Sequence, residues 1–178
     1  MFFSFSTEYE NLDLTLKKPE YTILVQTASG CEVRLPVPLG APTGDEPVLC
    51  VDCAAPALIG LSGRMGTWDM LAHRLAELGM DGDLPKYKAV LEATGCDEIS
   101  WALALADELE QYSFDPKVRD PEEVAEERLF RLLPPEEVDL LTPSLNLHQY
   151  GQTLIGASGQ LTGRGWVERV DGQPIDHS

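Results

Sequence analysis

Two cysteines, Cys50 and Cys53, enclose Val51 and Asp52 in the spacing of a redox dithiol or of half a zinc site. A tetrahedral metal site needs two more ligands, and Cys31, Cys96, His73, His148 and His177 offer no paired spacing. The pair lies in a run that reads as a strand, so the two side chains are expected to diverge and to behave as small buried thiols. Gly60-Leu61-Ser62-Gly63-Arg64-Met65-Gly66 lacks the lysine of a phosphate loop and the glycine-serine-glycine spacing of a nucleophile elbow. It reads as a flexible link. His73 is one place off the apolar stripe Leu71, Leu75, Leu78 and reads as structural. Glu136 and Glu137 are neighbours on a helix and point different ways, which is poor geometry for paired acid-base work. No catalytic residue, metal or cofactor is expected, and the chain does not read as an enzyme.

The residue type that is concentrated is the carboxylate. Between Asp97 and Asp139 stand Asp97, Glu98, Asp107, Glu108, Glu110, Asp115, Asp120, Glu122, Glu123, Glu126, Glu127, Glu136, Glu137 and Asp139. These fourteen face only Lys117, Arg119, Arg128 and Arg131, a local net of −10 within a chain of −17. The same stretch carries Trp101, Leu105, Leu109, Val124, Leu129, Leu132, Val138 and Leu141 at regular intervals, which a disordered acidic tail lacks. The charge is therefore expected on folded helices, as an acidic surface able to stand in for a polyanion. The plainer alternative is that it keeps the protein in solution. A pI near 4.3 argues against direct nucleic-acid binding, which needs cations to neutralise phosphates.

The elements that must hold these residues are legible in outline. The length of 178 residues and a hydrophobic share of 43% fit one domain or a few small modules. No apolar stretch is long enough to span a membrane, and the start lacks a basic signal-type region, so a cytoplasmic location with reduced cysteines is expected. Leu12, Leu14 and Leu16 alternate like a half-buried strand. Tyr21 to Gln26 and Cys31 to Leu35 flank Ala28-Ser29-Gly30 as a hairpin, and Val48 to Asp52 forms a third strand. Helices follow: one over Trp68 to Leu78 with Thr67 as cap and Gly79 as stop, and one between Asp83 and Gly95. A third opens at Asp97 and reaches about Glu110. Asp120-Pro121-Glu122-Glu123 opens a fourth that ends before Pro134, and Pro135-Glu136-Glu137 opens a short fifth. Leu147, Tyr150, Leu154 and Ile155 have helical spacing, and Gly163 to Val170 reads as a turn and a closing strand. Residues 141–178 are nearly free of charge, net −1. Leu147, Tyr150, Leu154 and Trp166 are the candidates there for self-association.

Several pieces in this order resemble the ArdA antirestriction family of conjugative plasmids and transposons. They are Lys18-Pro19-Glu20-Tyr21 with the strand ending Leu35-Pro36-Val37-Pro38, and Val51-Asp52 followed by Pro56-Ala57-Leu58-Ile59-Gly60-Leu61 and Asp69-Met70-Leu71-Ala72 with Leu75. Lys86-Tyr87-Lys88-Ala89-Val90-Leu91-Glu92-Ala93 is next, and Leu133-Pro134 with Glu136 before Tyr150-Gly151 closes the set. Where the family often has Phe-Asp-Tyr-Glu-x-Tyr-Gly-Arg, this chain has Leu145-Asn146-Leu147-His148-Gln149-Tyr150-Gly151-Gln152, without the two carboxylates and the arginine. The resemblance implies an elongated α/β (α+β) protein of three small modules that dimerises through its carboxy-terminal part. It also implies a mimic of duplex DNA that occupies the DNA-binding cleft of type I restriction-modification enzymes and protects a mobile genetic element. The modules are expected at 1–64 (antiparallel, strand-rich), 65–114 (helical) and 115–178 (acidic helix and closing strand). The alternative is an acidic adaptor of a mobile element that binds some other basic protein.

Overall fold

The alternation on either side of Ala28-Ser29-Gly30 forms a hairpin in the computed structural model, which describes residues 21–38 and 44–177. β1 (Ile23–Thr27) and β2 (Glu32–Leu35) pair antiparallel, and Gly30 adopts a φ of 88° that a β-carbon resists. The strand expected from Leu12, Leu14 and Leu16 lies outside the described residues. Among the described residues the fold is mixed α+β, with six α-helices and two antiparallel sheets.

The chain divides into two compact units. One takes the described residues up to Lys88 together with Cys96–Asp107, and the other takes Ala89–Gly95 and the described residues from Glu108 onward. This division differs from the expected three modules at 1–64, 65–114 and 115–178. The residues read as a flexible link form β4 (Ser62–Arg64), which pairs with β3 (Pro47–Cys53) and runs directly into α1 (Met65–Asp81). Strands and first helix therefore share a core.

In the first unit the sheet order is β2-β1-β3-β4, with every neighbouring pair antiparallel. Ile23, Val25, Leu35 and Val48 on the sheet and Trp68, Leu71 and Leu75 on α1 are buried. The helix is longer than its sequence predicts, starting before Thr67 and running past Gly79. A side chain at Gly79 would overlap the ring of Tyr21, so that glycine serves close packing. Gly82, at φ 78°, is the cap. The second correction concerns the cysteines. On β3, Leu24 faces Asp52 and Val25 faces Cys50, leaving Val51 as a bulge. The extra residue turns Cys50 and Cys53 to the same buried side, where regular alternation predicts divergence. α2 (Leu84–Thr94) lies between Asp83 and Gly95 as expected, while α3 (Ile99–Asp107) is shorter than expected at both ends.

The second unit is built on a sheet of order β5-β7-β6, with β5 (Tyr112–Asp115), β6 (Gly159–Thr162) and β7 (Gly165–Arg169) all antiparallel. α4 (Pro121–Leu132), α5 (Pro135–Leu141) and α6 (Leu147–Leu154) supply the helical part. Val118, Val124, Leu154 and Trp166 form its core, with Tyr150, Ile155 and Leu161 packed against them. α6 approaches the start of α4 so closely that a methyl group on Gly151 would overlap the carbonyl of Pro121.

Candidate functional site

The acidic helix α4 begins where its sequence places it. The Asp120 carboxylate accepts the Glu123 N–H at 2.8 Å, Pro121 occupies the first turn, and Glu122 and Glu123 lie at the positive end of the helix dipole. The Glu123 carboxylate in turn accepts the Arg119 N–H at 2.8 Å. Val124, Ala125 and Leu129 fill the inward face. Glu122 and Glu126 then share one outer flank, and Glu123 and Glu127 another. α5 repeats the design with less support, since Pro134 provides no side-chain cap. Val138 alone is buried there, and Glu136, Glu137 and Asp139 are exposed.

Three of the fourteen carboxylates have a basic partner: Asp107 and Glu127 form ion pairs with Arg74 and Arg131, and Glu122 lies 2.7 Å from Nδ1 of His148. The other eleven have no cationic partner among the described residues. In the first unit these are Asp97 and Glu98. In the second they are Glu108, Glu110, Asp115, Asp120, Glu123, Glu126, Glu136, Glu137 and Asp139. Asp115, Asp120 and Glu123 hold backbone N–H groups, which leaves their charge in place.

Of the four local bases, Arg119 and Arg128 are engaged outside this set of acids and Arg131 is shared between Glu127 and a residue outside it. Arg119 donates to the carbonyls of Pro116 and Gly163, at 2.8 and 2.6 Å. Arg128 and Arg131 both reach Glu168, a buried carboxylate on the central strand β7. Burial works against the Arg131 charge, but its hydrogen bonds to Glu127 and Glu168 outweigh that and raise its pKa above the usual guanidinium value. The acids outside are thereby left uncompensated. An open hollow beside this cluster is lined by Ser113, Arg128, Arg131, Ser158 and Glu168. Glu168 was visible in the sequence only as one more acid. The signal was its place directly after Trp166 and Val167 on a strand whose first four residues are all buried.

The self-association candidates divide. Leu147 and Tyr150 are half-buried, whereas Leu154 and Trp166, at 8% and 2% exposure, are interior packing of the second unit. The large apolar side chains left outside in that unit are Phe130, Leu132 (66% exposed), Leu140 (78%), Leu141, Leu145 and Val170. No group of three or more metal-ligating side chains is assembled among the described residues, and none of their helices is long and apolar enough to cross a membrane.

No protein-family model, curated protein or solved structure matches this chain. The likeness to the ArdA family therefore rests on the residues quoted above.

Proposed function

We propose that this protein is an antirestriction factor that imitates duplex DNA and occupies the DNA-binding cleft of a type I restriction-modification enzyme. The observation that carries the proposal is the pairing pattern: among the described residues eleven of the fourteen carboxylates of the acidic stretch have no cationic partner, while Arg119 binds backbone carbonyls, Arg128 binds the buried Glu168, and Arg131 is shared between Glu168 and Glu127. Duplex DNA presents one charge per roughly 1.7 Å, so a net charge of −17 corresponds to about 29 Å of duplex. Binding would be steered by charge and weakened by salt. Action in the cytoplasm on behalf of a mobile element, as a homodimer and without direct nucleic-acid contact, belongs to the same proposal. The dimer contact would draw on Phe130, Leu132, Leu140 and Leu141 in preference to Leu154 and Trp166.

The test is cleavage of unmodified DNA by a purified type I enzyme in the presence of this protein or of a variant carrying Glu126→Gln, Glu136→Gln, Glu137→Gln and Asp139→Asn. These four positions carry neither a cap nor an ion pair. Loss of inhibition with an unchanged circular-dichroism spectrum is expected, and equal inhibition by both proteins contradicts the proposed surface.

A second reading, an acidic adaptor for another basic protein, is favoured by one observation. Phe130, Leu132 and Leu140 are exposed on the same two helices as the free acids, a mixture that a purely phosphate-like surface does not need. A salt-insensitive complex would support the adaptor.

A further inference from the structure

The bulge at Val51 creates a feature that spacing alone denies. Cys50 lies opposite Val25 and Cys53 opposite Ile23. Ile23 and Val25 are two places apart on β1 and buried on one face. Like-facing neighbours on a strand are about 7 Å apart, close to the roughly 4.4–6.8 Å that a disulfide spans between Cα atoms, and a bulge bends the strand further. The two thiols are therefore neighbours on the same buried side of the sheet. Cys50 also points its S–H at the Asp52 carbonyl, 3.8 Å away, while the Cys53 sulfur accepts the Ala55 N–H at 3.4 Å. Cys50 thus donates its hydrogen and Cys53 accepts one, each with a backbone partner.

That asymmetry sets their acidities apart. The neighbouring Cys50 thiol lowers the Cys53 pKa below the usual 9.0 against the effect of burial, the Ala55 N–H and Lys88 assist, and Asp52 opposes. Cys50 moves the other way, because the Cys53 thiol lies beside it and it is itself buried. Cys53 is also the more accessible of the two, at 9% exposure.

We propose that Cys50 and Cys53 form an oxidisable dithiol that hydrogen peroxide converts to an intrachain disulfide. The Cys53 thiolate attacks one peroxide oxygen, the O–O bond breaks, and the departing hydroxide takes a proton and leaves as water, giving a sulfenic acid. The Cys50 sulfur then attacks the Cys53 sulfur. The S–O bond breaks, and the Cys50 proton leaves with the hydroxide as a second water. The two thiols lose two electrons and two protons in all, and the peroxide is reduced to two waters.

The full-length protein is treated with one equivalent of hydrogen peroxide, unfolded in iodoacetamide and mapped by peptide mass. The peptide carrying Cys50 and Cys53 is expected to be two hydrogens lighter and unalkylated, with Cys31 and Cys96 alkylated and the change reversed by dithiothreitol. In the Cys50→Ser chain, dimedone should trap a sulfenic acid at Cys53. In the Cys53→Ser chain, trapping at Cys50 should be lower by about tenfold or more. Cys50 and Cys53 both alkylated while Cys31 is oxidised would overturn the proposal, as would equal dimedone trapping in the two variants. The wild-type map decides the matter even if a serine variant fails to fold.

Discussion

Glu168 shows how one residue governs the charge of its neighbours. It is buried on β7 and binds Arg128 and Arg131 together, so part of the positive charge of the acidic stretch is held by an acid outside the fourteen. Glu168→Gln removes the charge and leaves two partly exposed guanidiniums facing a neutral amide, and a loss of about 2 kcal/mol is expected by urea unfolding. A second residue carries a pH dependence. Burial pushes the Tyr87 phenol well above its ordinary value of 10.0, and its hydroxyl donates to the Ala102 carbonyl at 2.7 Å. Below about pH 10 both folded and unfolded chains hold that proton, and its contribution is fully present. Above it the unfolded chain deprotonates first, so stability falls as pH rises toward the folded value. The urea midpoint should drop between about pH 9 and 11 in the natural chain and drop less in Tyr87→Phe, which itself loses about 1–2 kcal/mol at neutral pH. Neither residue was marked as special by its type or spacing, because burial of a polar group depends on what the rest of the chain folds over it.

At the scale of elements, local rules were reliable where one side chain decides the outcome. Asp120-Pro121-Glu122-Glu123 opens α4 as expected, and Asp120→Ala should cost about 1 kcal/mol through loss of the cap bond to the Glu123 N–H. The hairpin at Gly30 and the brackets at Asp83 and Gly95 were equally legible. Where a glycine serves a distant neighbour, the same rules misled. Gly79 has the sequence context of a helix stop and is a contact point for Tyr21. Gly151, which weakens the helical pattern of α6, is what allows that helix to meet Pro121. Gly151→Ala should therefore destabilise the protein by about 2–3 kcal/mol, although alanine is the better helix former; a neutral or stabilising result by thermal unfolding would contradict this packing. The bulge at Val51 and strands β5 and β6 leave no mark in the sequence for a related reason. Each is defined by its pairing partner, and Tyr112 to Asp115 is too short to show a period of its own.

For the whole molecule the deciding quantity is charge, since −17 on 178 residues repels itself. Screening should relieve that repulsion, so the thermal midpoint is expected to rise as sodium chloride increases from about 0.01 to 0.15 M. The acidic stretch, its helices and its absence of matching bases were visible in the sequence. Which carboxylates stay free was not, because it depends on where Arg119, Arg128 and Arg131 turn in three dimensions. The decisive measurement is displacement of labelled duplex DNA from a type I restriction enzyme by this protein, repeated across a salt series. With the carboxylates standing in for phosphates, its affinity should fall by about 100-fold or more between roughly 50 and 200 mM salt, in parallel with that of DNA. Failure to displace DNA, or an affinity that holds within about threefold over the same range, would show that the acids are not read as a phosphate backbone.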